Sequence, residues 1–338
     1  MTEITMIGEN GGLLTWGWEI ATYLFLGGLA AGLLIFSGAM RLGKAGLFRR
    51  SLLVADAAGL PLLGVGMLFL FVDLSNKLNV WRLYTTFQLQ SPMSWGAWIL
   101  LLTMAVLALR FVGLLPAPKA AVLLGLRLFP APDPQEEGED APQAAKPAGL
   151  AGLLERAWTL LAPAARWINR WDRGLAIAGI VLGVGVGFYT GILLSSFPSR
   201  PLWNTAVLAP LFLISALGSA GAFLCLFLPH DEHLRLLPFS LLTCLVELLL
   251  LAAFVLNLVY GTQAAQHAGA ILFAGGYGWA FWGLVLVLGL LLPAALEQLE
   301  LLNVRVPLLR AQVPPLFKLA GGLALRFVIV YAGMLSFM

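Results

Sequence analysis

Residues 16–40 read WGWEIATYLFLGGLAAGLLIFSGAM, an apolar run interrupted by a single charged side chain, that of Glu19. A helix needs about 20 such residues to cross roughly 30 Å of hydrocarbon, because each residue advances it by about 1.5 Å. The run is therefore long enough to span a lipid bilayer. The polar stretch before it, 1–12, lacks the basic start and short apolar core of a cleaved signal peptide, so we expect this helix to remain in the mature protein.

Seven further apolar runs of similar length follow the first. Of the 338 residues, 60% are hydrophobic and 11% are charged, whereas a soluble domain carries roughly a quarter charged residues. A soluble fold cannot bury so much apolar surface, so the sequence predicts an all-α integral membrane protein with eight transmembrane helices. The predicted helices cover approximately 14–40, 51–74, 94–115, 174–197, 204–228, 236–260, 272–296 and 315–337.

A hydrophilic segment separates the third run from the fourth. Residues 116–148 contain seven prolines and cannot bury a core, so we expect a linker there. Residues 150–172 alternate Leu and Trp with arginines, which is typical of a helix lying along the lipid headgroups. The sequence thus predicts transmembrane helices 1–3 in 1–115, a cytoplasmic linker with an interfacial helix in 116–172, and transmembrane helices 4–8 in 173–338. The acidic cluster of the linker is Glu136, Glu137, Glu139 and Asp140.

The distribution of basic residues predicts the orientation of the helices in the membrane. The segments after the first, third, fifth and seventh runs, taken with the adjacent helix ends, hold 16 Lys and Arg residues, whereas the opposite side holds only Lys77, Arg82 and Arg200. Basic loops stay on the cytoplasmic side. We therefore expect both chain termini to lie outside, in the periplasm of a bacterium, with the protein in the inner membrane.

Two pairs of segments resemble each other within the chain. WGWEIATYLFLGGLAAG in the first run resembles PLWNTAVLAPLFLISALGSAG at the fifth, and SPMSWGAW at the third resembles AGGYGWAFWG at the seventh. These similarities are compatible with two parallel four-helix bundles that arose by duplication. Small residues at this spacing also simply allow helices to pack closely, so both explanations stay open.

Several kinds of redox and binding site are excluded by the residues present. A haem held between helices needs facing pairs of histidines, and the chain has only His230, His233 and His267, all in predicted loops. Cys225 and Cys244 lie in apolar runs without a CxxC motif, which indicates small core residues rather than ligands. No phosphate-binding glycine loop occurs, and the net charge of +3 is not gathered into a nucleic-acid-binding patch. We expect no haem, iron-sulfur cluster or other metal in this chain, and no nucleic-acid partner.

Polar and aromatic side chains gather near the predicted outer ends of the helices. Glu19 and Tyr23 are four residues apart and share one face of the first helix. Aromatic residues also collect at membrane interfaces without any further function, and an acid one turn into a helix can reach water. A quinone ring needs an apolar slot and donors that can move protons, so the collection is a candidate quinone site. The other candidates at this depth are Trp16, Asp73, Tyr189, Trp203, Asn204 and His267.

Two charged residues are predicted to lie close to the middle of the membrane. Glu247 falls near the centre of the sixth helix and Arg326 near the centre of the eighth. Isolated charges at that depth cost several kcal/mol, so we expect the two to pair. Such a pair is either a structural clamp or a step of a proton path that also includes Asp56.

At these residues the sequence resembles the NrfD/PsrC family, the membrane subunits of polysulfide reductase and related complexes. The resemblance rests on WEIATYLFLGGLAAG, SPMSWGAW, YTGILLSSFPSRPLWN and GGYGWAFWG, and it covers most of the sequence. It implies an eight-helix core without bound redox metals that binds menaquinone or ubiquinone near the outer face. It also implies a ferredoxin-like iron-sulfur subunit on the periplasmic side and a catalytic subunit, often a molybdopterin protein, beyond it.

The resemblance also implies roles for individual residues. Tyr23 matches a quinone-contacting histidine of the polysulfide reductase member, and Tyr189 matches a tyrosine of the same site. Asp73 matches an acid at the same helix end and His267 a histidine in a loop, whereas Ile20 stands where that member has asparagine. The leading hypothesis is therefore a quinone-reacting subunit of a respiratory oxidoreductase complex. The alternatives are an inert membrane anchor and a proton-coupled secondary transporter, whose site would lie at the midplane near Glu247.

Overall fold

The computed structural model describes residues 16–43, 45–74, 91–114, 163–302 and 312–336, with isolated positions at 77, 81, 85 and 88. Within these ranges the chain is helical, and eight helices are long and apolar enough to cross a membrane. The prediction of an all-α, multi-pass membrane protein with eight transmembrane helices is confirmed. The predicted linker at 116–148 and the first part of the predicted interfacial helix lie outside the described residues.

Nine helices are named here in chain order. α7 is a short helix between two transmembrane helices, and a 3-10 turn at Ala45–Leu47 joins α1 to α2. The helices are α1 (Trp18–Leu42), α2 (Arg49–Asp73), α3 (Pro92–Leu114), α4 (Asp172–Ser195), α5 (Leu208–Cys225), α6 (His230–Tyr260), α7 (Gln263–Phe273), α8 (Ala280–Leu301) and α9 (Val313–Leu335). Residues 163–170, just before α4, are also helical.

The seventh transmembrane helix begins later than the apolar run suggests. The sequence predicts one helix from 272 onward, but the first residues of that run complete α7, which starts after Thr262. The Thr262 hydroxyl caps α7 by accepting a hydrogen bond from the backbone N–H of Ala265 at 3.3 Å. The glycine-containing segment 274–277 then separates α7 from the helical residues that lead into α8. Hydropathy alone cannot detect this break, because none of its residues is charged.

The first half of α8, Ala280–Leu291, is a π-helix, and Leu292–Leu301 continues it as an α-helix. π-Helical segments of this length are rare. The segment brings Gly289 against Gly321 of α9 so closely that a side chain at either position would overlap the backbone of the other helix. The backbones of α8 and α9 therefore touch near the middle of both helices.

We divide the helices by chain order into an N-terminal helix group, α1–α4, and a C-terminal helix group, α5–α9. In the N-terminal helix group, α1 packs on α2 and α4, and α3 packs on the same two helices. In the C-terminal helix group, α5 packs on α6 and α9, and α8 packs on α9 and, at its end, on α6. α5 also packs on α1 and α4, which joins the groups. The duplication of a four-helix unit stays a prediction.

The two ends of the helices define two faces of the protein. The terminal face is where α1 begins and α9 ends, and there the Arg200 guanidinium donates to the Met334 carbonyl at 2.7 Å. The linker face is where α1 ends and α9 begins, and there the Glu232 carboxylate accepts hydrogen bonds from the backbone N–H groups of Arg50 and Ser51. Glu232 thus caps the start of α2 and ties the two helix groups together.

Candidate functional site

Two predicted acids come together at the terminal face. The Glu19 side chain folds back over Gly17, where a Cβ atom would overlap its carboxylate. The Asp73 carboxylate lies near Glu19 and accepts a hydrogen bond from the Gly17 backbone N–H. Tyr331 lies near Glu19 and Tyr277, and partial burial raises the pKa of the Tyr277 phenol above its usual value. We call Glu19, Asp73, Tyr277 and Tyr331 the terminal-face cluster; sequence reasoning found the two acids but not the two tyrosines.

Tyr189 is a buried tyrosine whose hydroxyl is not hydrogen-bonded to any described residue. Its side chain is only 5% exposed. Its ring packs edge-on against Trp95, with 5.5 Å between the ring centroids, and its hydroxyl end lies over Gly96 of α3. A tyrosine whose ring is buried usually finds a hydrogen-bond partner for its hydroxyl, and here a ligand could supply that partner.

Tyr23 is buried in the same helix group. It is 1% exposed, and its ring packs beside Gly66 of α2 and Gly27 one turn further along α1. It belongs to the same buried cluster as Tyr189 and Ile20. The structure therefore places Tyr23 and Tyr189 inside the N-terminal helix group, with Glu19 closer to its terminal face.

Trp203 and Trp16 form an aromatic stack at the turn between α4 and α5. Trp203 is fully buried, and its indole N–H donates to the Ile329 carbonyl of α9 at 2.8 Å. Its ring stacks on Trp16 with 5.1 Å between centroids and meets Phe197 edge-on. Because the single donor of Trp203 is already bonded, this residue holds the turn against α9 and has no hydrogen-bonding group left for a ligand.

The last two candidates at the terminal face are exposed. Asn204 lies on the turn between α4 and α5, and His267 lies on α7. Both side chains face outward rather than into either helix group. Their position suits contact with water or with a bound protein.

Glu247 and Arg326 approach each other near the membrane centre through a third residue. The guanidinium of Arg326 donates to the Ser215 hydroxyl of α5, and Ser215 in turn contacts the Glu247 carboxylate. Glu247 and Arg326, both of which the structure describes, do not form a direct ion pair within 4.0 Å. Arg326 also donates to the Phe212 carbonyl at 3.1 Å and stacks over the Phe212 ring. The expected pair is thus bridged by a serine and not formed directly.

A narrow crevice leads from Glu247 towards a second buried charge. Ser215, Ser219 and Glu247 line it together with Lys318 of α9. Lys318 is 3% exposed, and its ammonium donates to the Ser240 hydroxyl at 2.6 Å. The same ammonium lies 3.3 Å from both carboxylate oxygens of Glu297, which form a buried ion pair with it. Nearer the linker face, His233 lies 3.3 Å from Glu300.

Asp56 belongs to a different network, in the N-terminal helix group. The buried Asp56 carboxylate accepts a hydrogen bond from the Ser37 hydroxyl and pairs with Arg41. Arg41 also donates to Asp172 at 2.8 Å, and Asp172 pairs with the buried Arg110. This network joins α1, α2, α3 and α4 near the linker face. Its members form ion pairs with one another and not with Glu247, which lies in the other helix group.

Comparison with known proteins identifies the family. The family model described as Polysulphide reductase, NrfD, matches residues 7–338. The chain belongs to the NrfD family. The C chain of polysulfide reductase from Wolinella succinogenes is 30% identical over 343 residues, which is 96% of each protein. Protein NrfD of Escherichia coli K12 is 30% identical over 339 residues, again 96% of each. The C subunit of selenate reductase from Mesobacillus selenatarsenatis is 27% identical over 304 residues, which is 82% of the present sequence and 66% of that protein.

Several residues of these networks escaped the sequence analysis of this NrfD-family protein. The tally of basic residues that predicts the orientation assigns Arg41, Arg110 and Lys318 to the cytoplasmic side. In the structure all three lie within helices and are paired with acids. For Lys318 a signal was available, because it precedes Arg326 by two turns in an otherwise apolar helix. Cys225 and Cys244 are free and buried, which confirms that they are core residues.

Proposed function

We propose that this protein is the quinone-reacting membrane subunit of a respiratory oxidoreductase complex, with menaquinone or ubiquinone held in the N-terminal helix group. The observation that carries the proposal is the hydroxyl of the buried Tyr189 side chain, which makes no hydrogen bond to a described residue. Relatives that are named as subunits of polysulfide and selenate reductases support membership in such a complex. An inert membrane anchor is the alternative that the experiment below distinguishes.

The residues around Tyr189 fit a quinone head. Trp95 and the apolar side chains of the same cluster supply a flat, dry surface for an aromatic ring. Tyr189 supplies a donor for a quinone carbonyl, and Tyr23 is buried in the same helix group. A bound quinone supplies the redox chemistry, exchanging two electrons and two protons.

The terminal-face cluster is the proposed route between the quinone site and water. Glu19 is half-buried and lies one turn of α1 before Tyr23. Its carboxylate can therefore relay a proton between the buried tyrosines and water at the terminal face. Asp73 and Tyr331 lie beside Glu19, and Tyr277 adjoins Tyr331. The Tyr277 phenol, whose pKa burial raises above its usual value, is protonated at neutral pH and can donate a hydrogen bond.

The same proposal assigns partners and orientation. The terminal face is proposed to be periplasmic, because basic residues concentrate in the sequence segments of the linker face. A ferredoxin-like iron-sulfur subunit would dock on this face and exchange electrons with the quinone, with a catalytic subunit, such as a molybdopterin protein, beyond it. The exposed Asn204 and His267 are proposed to face that subunit or the periplasmic water. Trp16 and Trp203 are proposed to support this end of the site through the stack they form.

Replacing Tyr189 with phenylalanine should weaken quinone binding about tenfold, because it removes one hydrogen bond from a buried site. The measurement uses the purified full-length protein in lipid nanodiscs. A short-chain naphthoquinone and a short-chain ubiquinone are titrated in turn, and tryptophan fluorescence quenching gives each dissociation constant. The quinone with the lower dissociation constant also indicates which type of quinone the protein binds.

Tyr260→Phe is the matched control for this experiment. Tyr260 is 79% exposed at the end of α6, so its hydroxyl serves no buried site and its loss should leave the dissociation constant unchanged. If Tyr189→Phe binds both quinones as tightly as the unmodified protein does, or if neither quinone binds at all, the protein is an anchor.

The Ser215-bridged pair of Glu247 and Arg326 is proposed to take part in moving protons through the C-terminal helix group. Glu247 faces the crevice that ends at Lys318, and this line of polar groups runs from the membrane centre towards the linker face. Asp56 is proposed to act in the N-terminal helix group, through the separate network that it shares with Arg41. A structural clamp, the alternative, would hold helices together without any change of charge.

Replacing Glu247 with glutamine should leave electron transfer intact while abolishing proton uptake coupled to it. Glutamine keeps the size of the side chain and can still contact Ser215, but it cannot gain or lose a proton. The assembled complex is reconstituted in vesicles with a trapped pH dye, and protons moved per electron are recorded. An unchanged ratio would assign Glu247 to the clamp.

A further inference from the structure

Gly96 and Tyr189 make an unusually close contact between α3 and α4. A Cβ atom added at Gly96 would overlap three atoms of the Tyr189 phenol, namely Cε2, Cζ and the hydroxyl oxygen. The hydroxyl end of the ring therefore occupies the space that any other residue at 96 would fill. Gly96 itself is buried, one position after the Trp95 ring that meets Tyr189 edge-on.

This contact differs from those glycine contacts of the fold that bring two backbones together. At Gly191 an added Cβ would strike the backbone of Ala209, and at Gly321 it would strike the backbone of Gly289. Those glycines allow two helices to approach each other closely. The backbone atoms of Ala209 and Gly289 cannot move away unless the whole helix moves. At Gly96 the neighbour is the far end of a side chain, which can be displaced without moving a helix.

We propose that Gly96 is a positioning residue that holds the Tyr189 hydroxyl at the quinone carbonyl. A larger residue at 96 leaves the helices in place but displaces the phenol, so the hydroxyl no longer meets the ligand. This inference rests on the proposed function, because it assigns to Gly96 the placement of the group that binds the quinone. It predicts a loss of binding without a matching loss of stability.

Gly96→Ala should weaken naphthoquinone binding to the full-length protein in nanodiscs by about tenfold, the same loss as Tyr189→Phe, because both remove one hydrogen bond. In the Tyr189→Phe background the same substitution should change binding by less than about twofold, since mutations that act through one group do not add. Gly185→Ala is the matched control. It lies on the same pair of helices, and its new methyl would meet Ile99 at an ordinary distance of 3.5 Å.

A second measurement follows the ring itself. The protein has six tyrosines, so labelling with 3-fluorotyrosine gives six ¹⁹F resonances, and Tyr189→Phe identifies the one that belongs to Tyr189. This resonance should shift in Gly96→Ala and stay in place in Gly185→Ala. Thermal unfolding of the two glycine variants should occur at similar temperatures.

Each outcome decides between the two proposals. If Tyr189→Phe weakens binding and Gly96→Ala does not, the role of Gly96 is refuted while the quinone site stands. If neither substitution weakens binding, the quinone site itself fails. A loss of binding in Gly96→Ala that persists in the Tyr189→Phe background, or a much lower unfolding temperature than that of Gly185→Ala, shows that Gly96 acts by packing and contradicts the inference.

Discussion

Replacing Lys318 with methionine should destabilise the protein by about 3–5 kcal/mol, because it leaves the buried Glu297 carboxylate without its counter-charge. Lys318 and Glu297 are each 3% exposed. The ammonium contacts both carboxylate oxygens at 3.3 Å and the Ser240 hydroxyl at 2.6 Å. Methionine fills a similar volume, so the loss arises from the charge and not from a cavity. The measurement is the free energy of unfolding of the detergent-solubilised protein, followed by circular dichroism.

The double variant Lys318→Met with Glu297→Gln is the control for that prediction. Removing both charges together avoids the uncompensated carboxylate, so the double variant should recover most of the lost stability. Equal destabilisation of the single and double variants would show that packing around Lys318, and not its charge, is what the helix group needs. A single variant as stable as the unmodified protein would show that Glu297 is neutral in the folded state.

Replacing Gly321 with valine should prevent α8 and α9 from packing and should lower stability by about 3 kcal/mol or more. A Cβ atom at Gly321 would overlap the backbone of Gly289, which lies in the π-helical part of α8. Neither backbone can retreat without opening the crevice that Glu247 and Lys318 line. The yield of folded monodisperse protein and its unfolding temperature in detergent measure the effect.

Gly283→Val on the same π-helical segment provides the comparison. An added Cβ at Gly283 has no described atom within 4 Å, so valine there should be tolerated. If both substitutions lower stability equally, the π-helix is sensitive to β-branched residues in general. If neither does, the close contact between Gly289 and Gly321 contributes little to the fold.

Part of the candidate site followed directly from the sequence. Helical periodicity placed Glu19 and Tyr23 on neighbouring turns of α1, and the structure keeps Glu19 near the terminal face and Tyr23 buried below it. Proximity of Asp73 to Glu19 follows from their places at the ends of adjacent helices. The unbonded hydroxyl of Tyr189 could not be foreseen, because it depends on every side chain around it.

Other features of the candidate site could be recognised only in the folded structure. Trp203 was a candidate ligand contact in the sequence, yet its indole N–H is bonded to Ile329 on a helix more than a hundred residues away. Glu247 and Arg326 were expected to pair, and the hydroxyl of Ser215 stands between them. Both results depend on α5 packing against α6 and α9, which no local pattern indicates.

The sequence by itself determined the eight transmembrane helices, the buried cysteines and the family, because span length, hydropathy and motifs are local properties of the polypeptide when the solvent is lipid. Only the tertiary structure decided which residues meet: the charged pairs of Lys318 with Glu297 and of Asp56 with Arg41, and the close packing of Tyr189 on Gly96. In an almost uniformly apolar helix the sequence does not fix how far the helix rotates about its axis or which helix lies beside it. Those two quantities are set by close packing between helices, so the networks within the membrane appear only once the helices are assembled.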